Sequence, residues 1–276
     1  MESGIRNLEF VRNFRIPRTH SKFQIPNSKL RGAITNAADA ILSVLLAPSC
    51  AACGRLLDHP TGGPVCAGCW NSILPLTPPL CDRCGDPLPS WRVISLPLAL
   101  CPRCRRTTSD VSRARAIGGY DGRLRSIVHA LKYEGRRSLA RPLADLMRER
   151  GADILAGAAC VVPVPLHPAR RRERGFNQAA DLAHHLGRPV VFALRRSRET
   201  AAQTGLPAAQ RHRNVRSAFT LSRAGRRLSR GAAVVVLVDD VSTTGATLAA
   251  CARVLKEAGI PEVRALTAAR VVAPPR

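Results

Sequence analysis

The chain has 276 residues, 45% hydrophobic but only 4% aromatic, and a formal net charge of +24 from 43 Lys+Arg against 19 Asp+Glu. This composition excludes disorder throughout and supplies a core of Ala, Val and Leu, the filling that suits a Val-rich parallel sheet under Ala-rich helices. The cation excess draws polyanions, whether nucleic acid, phosphorylated small molecules or an anionic membrane surface, and does not choose among them.

The length exceeds one average domain, so a main domain with a small accessory one is expected. Residues 1–32 hold Arg6, Arg12, Arg15, Arg18, Lys22, Lys29 and Arg31 with little apolar periodicity, which predicts a basic disordered arm. A start codon chosen too far upstream would look the same. Ile34, Ala37, Ala38, Ile41 and Leu45 then recur at helical spacing until Pro48, predicting a short amphipathic helix over 33–48. The apolar stretch Ala33 to Ala47, ending at Cys50, faintly resembles a lipoprotein signal, but Asn36 and Asp39 interrupt it. No run reaches the ~20 apolar residues of a membrane span.

Eight of the ten cysteines fall into four C-x2-C pairs over residues 49–108: Cys50/Cys53, Cys66/Cys69, Cys81/Cys84 and Cys101/Cys104. Each pair sets two thiolates on one tight turn, half of a tetrahedral shell, so two pairs complete a closed four-thiolate site for structural Zn2+. Gly54 and Gly85 follow the first and third pairs, where a knuckle turn benefits from positive φ. That repeat suggests the units Cys50–Cys69 and Cys81–Cys104 with one zinc each, although pairing across units, or loss of metal from one of them, fits the same spacing. A redox or disulfide role is the competing reading. Zinc in a reducing compartment fits so long a chain better, and the expected location is cytoplasmic. Cys160 and Cys251 read instead as buried apolar thiols.

From about Ser112 the pattern alternates between strand and helix, which predicts βαβ units and a mostly parallel sheet over 112–276. Strands are expected at Arg115 to Tyr120, Ala159 to Val164, Pro189 to Leu194, Ala232 to Asp239 and Glu262 to Ala269. Helices are expected at Leu124 to Leu131, Leu139 to Met147, Phe176 to Leu186 and Ala246 to Ala258. Arg195 to Arg230 is basic and poorly periodic, and part of it reads as a loop or flap.

The segment Val234 to Thr247 is an apolar strand, two acids, then a small-residue loop opening a helix. It resembles the phosphoribosyl diphosphate (PRPP) motif of type I phosphoribosyltransferases. Elementary chemistry agrees: amides and hydroxyls over Ser242, Thr243, Thr244, Gly245, Ala246 and Thr247, at a helix N-terminus, suit a 5'-phosphate. Asp239 and Asp240, at the ligand edge of the sheet, suit the ribose hydroxyls. The plainer alternative is an Asp-Asp-Val-Ser helix cap.

Further segments resemble the ComF family of competence proteins. Val162 to Gln178, with Arg170, Arg171, Arg172, Arg174 and Gly175, is similar to that family's pyrophosphate loop, in which Arg174 is the favoured contact. His129-Ala130-Leu131-Lys132-Tyr133 resembles its helix-end lysine segment, with Lys132 able to reach pyrophosphate; a solvent lysine is the alternative. Gln203 to Leu206 and Arg211 to Phe219 match two more elements. The resemblance implies a type I phosphoribosyltransferase-like α/β fold behind a double zinc ribbon. It further implies catalysis by Asp239, Asp240, Lys132 and Arg174 on PRPP with Mg2+, and a part in bringing single-stranded DNA through the uptake machinery. Nothing marks a purine, pyrimidine or amine acceptor, and the N-terminal cysteine of a glutamine amidotransferase is lacking.

Overall fold

The computed structural model describes residues 28–88, 99–196, 218–228 and 231–272. Helix α1, Ser28–Leu46, starts earlier than the apolar spacing suggests, because Lys29, Leu30 and Arg31 are good helix formers and extend it into the basic stretch. Residues 1–27 lie outside the described residues. Of the expected apolar stripe, Ala37 is exposed and Ile41 is 59% exposed, while Asp39 is buried. Asp39 accepts hydrogen bonds from the Thr61 amide (2.8 Å) and His59 Nδ1 (3.3 Å), which dock the helix on the first cysteine unit. The Thr61 bonds in turn hold the Asp39 carboxyl below its usual range. The residue that breaks the apolar run is therefore the helix's anchor.

The two cysteine units repeat one turn design. Cys50 N–H donates to Arg55 O and Leu57 N–H to Pro48 O; Cys81 N–H donates to Asp86 O and Leu88 N–H to Pro79 O. Gly54 (φ +74°) and Gly85 (φ +73°) close these turns in the left-handed region, and a Cβ on Gly85 would lie 2.8 Å from Ala114 O. Short helices α2, Ala67–Asn71, and α3, Pro102–Arg106, carry the second pair of each unit.

The larger domain is a four-stranded, all-parallel sheet in the order β1-β6-β5-β2, formed by Arg113–Ala116, Glu262–Arg270, Val234–Ser242 and Cys160–Pro163. Central strand β5 alternates as a doubly covered strand must. Val236 and Val238 face a cluster with Ile127, Leu131, Leu143, Met147 and Leu182, contributed by α4, Gly122–Tyr133, α5, Ala140–Arg150, and α8, Gln178–Ala183. Val235 and Leu237 face Leu248, Cys251 and Leu255 of α10, Ala246–Glu257. The remaining short helices are α6, Ala152–Leu155, α7, Pro168–Arg174, and α9, Arg223–Leu228. Cys160 and Cys251 are both core residues, and burial pushes the Cys160 thiol up to about 11.

Three expected elements differ, the first being the entry strand, which spans Arg113–Ala116 where the pattern predicts Arg115 to Tyr120. Pro189 to Leu194 joins the sheet only through a bridge from Val190 to Val161. The chain then enters β3, Leu194–Arg196, which pairs antiparallel with β4, Phe219–Leu221. The ends of the basic stretch after Leu194 are thus a two-stranded ribbon; Gln203 to Leu206 and Arg211 to Ser217 lie outside the described residues.

Gly151 lies between α5 and the sheet, where an added Cβ would come within 2.4 Å of Leu266 Cδ1 and 2.7 Å of Met147 O. The backbone oxygen cannot yield cheaply, so Gly151→Ala should destabilise the domain by about 1–3 kcal/mol in urea unfolding.

Candidate functional site

Strand β5 does not stop at the paired acids but runs on to Ser242, so Asp239 and Asp240, being neighbours in a strand, point to opposite sides. Asp240 is buried and meets α4, where Lys132 Nζ lies 3.0 Å from its Oδ1. Asp240 Oδ2 is buried without a hydrogen-bond partner in the protein. Asp239, half-buried, accepts the Asp240 amide at 2.9 Å. Burial opposes charge on Lys132, yet the carboxylates of Asp240 and Asp239 overcome it and raise its pKa. Burial, with Asp240 beside it, pushes Asp239 up to about 7, against the pull of Lys132 and Arg196. Lys132 is not a solvent lysine.

These groups line one cleft of about 490 Å3 at the C-terminal ends of β2 and β5, together with Arg174 and the loop residues Ser242, Thr243, Gly245, Ala246 and Thr247. The loop enters α10 through Gly245 at φ +77°, a left-handed residue that lets the helix begin directly behind the strand. Thr244 faces away: it lines a second cleft, on the side of the second cysteine unit, and its Oγ1 accepts the Ala246 amide at 3.3 Å. Arg174 is stacked over Tyr133, guanidinium carbon to ring centre 4.9 Å, which aims it from the short helix α7 across the mouth.

Two contributors, Arg196 and Tyr120, escaped the motif search, and a third, Gln178, closes the pyrophosphate-loop segment but was given no role of its own. Arg196 of β3 lines the cleft and stacks on Phe219 at 5.5 Å. Burial, and then the charge of Arg170, which lines the same cleft, lower its pKa, a mark of crowded positive charge. Gln178 is 3% exposed with Oε1 unpartnered, and Tyr120 closes the end near Lys132. Arg196 sits in a basic stretch whose lack of periodicity hid the strand, and Tyr120 carried no motif at all.

The cysteine sulfurs gather as Cys50/Cys53/Cys66/Cys69 and Cys81/Cys84/Cys101/Cys104, within 4.8 Å of one another in each set, so pairing is within units and not across them. A tetrahedral shell with ~2.3 Å Zn–S bonds separates sulfurs by ~3.8 Å. Cys53–Cys66 at 3.9 Å and Cys84–Cys101 at 3.6 Å match that spacing. Backbone N–H groups of Ala52 and Cys66 point at Cys50 Sγ, and that of Cys101 at Cys81 Sγ, as donors that stabilise a metal thiolate. Closed four-thiolate sites without an open position fit structural zinc.

The double zinc ribbon domain profile matches residues 41–105, and the phosphoribosyl transferase domain profile matches residues 172–274. Competence protein F of Haemophilus influenzae is 29% identical over 75% of this chain and 90% of its own length. DNA utilization protein YhgH of Salmonella typhi is 34% identical over 72% of this chain and 87% of its own, and competence protein ComFC of Bacillus subtilis 26% over 71% and 79%. No helix among the described residues is long and apolar enough to cross a membrane.

Two outcomes follow. Because folding raises the pKa of Asp239, the folded chain holds the proton more tightly than the unfolded one. Stability from this group is therefore full at low pH and is lost as pH rises toward about 7. Carboxyl NMR should find Asp239 titrating near neutrality in the free protein, and Lys132→Met, which removes the opposing cation, should move it higher still. Metal analysis should return two zinc ions per chain, and Cys69→Ser should drop that to one while leaving the parallel sheet's circular dichroism in place.

Proposed function

Since the chain belongs to the ComF family of competence and DNA-utilization proteins, we propose that it binds PRPP with Mg2+ and serves the uptake of single-stranded DNA. The observation that carries this reading is the Lys132–Asp240 pair at 3.0 Å, with Asp239 beside it, in one cleft with the loop that opens α10. In this reading the loop amides over Thr243 to Thr247 hold the 5'-phosphate at the positive end of a twelve-residue helix. Asp239 and Asp240 accept the ribose hydroxyls, and the unpartnered Asp240 Oδ2 is an acceptor ready for one of them. Arg174, Arg170 and Lys132 take the diphosphate from the other side. Mg2+ would chelate the diphosphate and neutralise part of its charge.

Transfer, where it occurs, breaks the C1–O bond with the electron pair leaving on pyrophosphate. The cationic sugar ring that forms faces two carboxylates, and an acceptor closes the bond at C1 and gives its proton to solvent. Positioning and electrostatics supply the rate. Free Asp239 holds a proton near neutrality, so binding PRPP, which brings hydroxyl donors and favours the ionised form, should release protons below pH 7.

A second reading is a non-catalytic single-stranded DNA factor for which PRPP is a regulator. The net charge of +24 favours it, and DNA-uptake machinery would be the partner. Calorimetry with PRPP–Mg2+ tests the common element. The wild type should bind, and Asp239→Asn and Asp240→Asn should each weaken binding by about 10- to 100-fold, the loss of a charge-assisted contact. Absence of binding by the wild type would end the proposal. Pyrophosphate release with candidate bases separates enzyme from binding factor. If DNA sits elsewhere, the same variants should keep their DNA affinity.

A further inference from the structure

The two cysteine clusters attach to the large domain in different ways. The first unit packs on α4, where Arg123 Nη1 donates to Ala52 O at 3.0 Å, and joins the core cluster that covers one face of the sheet. The second unit reaches that loop through a buried ion pair. Arg270, at the end of β6 and 3% exposed, lies opposite Ser242 in the β5–β6 register. Its Nε donates to Asp86 Oδ1, and its Nη1 lies 3.4 Å from Ser242 Oγ. Asp86 belongs to the Cys81–Cys84 turn: its carbonyl accepts the Cys81 amide at 2.7 Å, and its Oδ2 lies 3.4 Å from Cys84 Sγ and 3.6 Å from Arg103 Nη2. The matching position of the first unit is Arg55, of opposite charge.

We propose that Asp86 and Arg270 form a strap through which metal at the second cysteine cluster and ligand at the Ser242 loop stabilise each other. Metal folds the turn, since so small a ribbon does not hold its shape without it. The folded turn presents Asp86. Arg270 stays buried only while that carboxylate accompanies it, because a buried guanidinium without its partner is costly. Arg270 in turn keeps its donor at Ser242, the first residue of the loop. Arg103 and Arg270 also set positive charge against the dianion that four zinc-bound thiolates make. Neither Asp86 nor Arg270 touches the reacting sugar; both are positioning residues.

The proposal rests on the PRPP reading of the loop, and the test separates the two. Coupling between sites is reciprocal, so PRPP must tighten the second zinc by the factor with which that zinc tightens PRPP, typically 5- to 150-fold. Zinc release from the full, zinc-loaded chain to a chromogenic chelator should be measured with and without PRPP–Mg2+. We expect one of the two ions to leave about tenfold more slowly and the other to be unaffected. Asp86→Asn, carrying both zinc ions, should abolish the slowing and weaken PRPP by a similar factor. Calorimetric binding of PRPP with release of both ions unchanged, or with both slowed alike, overturns the strap. A wild type that binds no PRPP removes the reading of the loop and the strap with it. Should Asp86→Asn fail to hold its second zinc, the wild-type release rates decide alone.

Discussion

Two neighbouring carboxylates on the central strand of a sheet are an electrostatic liability, and the ion pair between Lys132 and Asp240 is what makes them tolerable. Burial drives Asp239 toward the neutral form, and Asp240 beside it drives it further. Lys132, reaching over from the last turn of α4, pulls the other way. The compromise leaves one carboxylate paired with Lys132 and holds its neighbour's pKa up at about 7. The cleft gathers around this compromise the two acids, the guanidiniums of Arg170, Arg174 and Arg196, and the loop that opens α10. Such a mixture of charge suits a ligand that carries hydroxyls between phosphate groups at its two ends.

The same logic recurs where the ribbon meets the sheet. Arg270 is a second buried charge at a strand end, and it too is held by a carboxylate from another element. The position of Asp86 is set by a cysteine turn, so the metal chemistry of the N-terminal module and the loop geometry of the large domain share one residue pair. A double zinc ribbon in front of a phosphoribosyltransferase domain is then more than two modules joined in sequence. The first unit adds its apolar residues Leu57, Val65 and Ile73 to the core under α4, while the second adds a charge next to the loop.

What the sequence determined follows from local rules. The spacing of the cysteines and the two glycines after them specify knuckle turns whatever surrounds them. The run Val234 to Thr247 specifies a buried strand, a turn and a helix start, because an unbroken apolar run, a glycine and small hydroxyl residues are all read within a few positions. The grouping of cysteines within units, open on spacing alone, required coordinates, since each C-x2-C is an identical half-site. So did the role of Asp39, which breaks an apolar pattern on paper but anchors the helix in three dimensions.

Tertiary structure decided everything that depends on charges meeting across long stretches of chain. Lys132 and Asp240 are more than a hundred positions apart, and only the packing of α4 on the sheet tells a pairing lysine from a solvent one. Arg196 enters the cleft because the ends of a pattern-free basic stretch pair as β3 and β4. Thr244 leaves it because the turn divides its hydroxyls between two clefts. Arg270 and Asp86 carry no motif at all. Local sequence encodes backbone preference, which acts over a few residues, whereas desolvation and ion pairing act through space and are fixed only once the chain has folded.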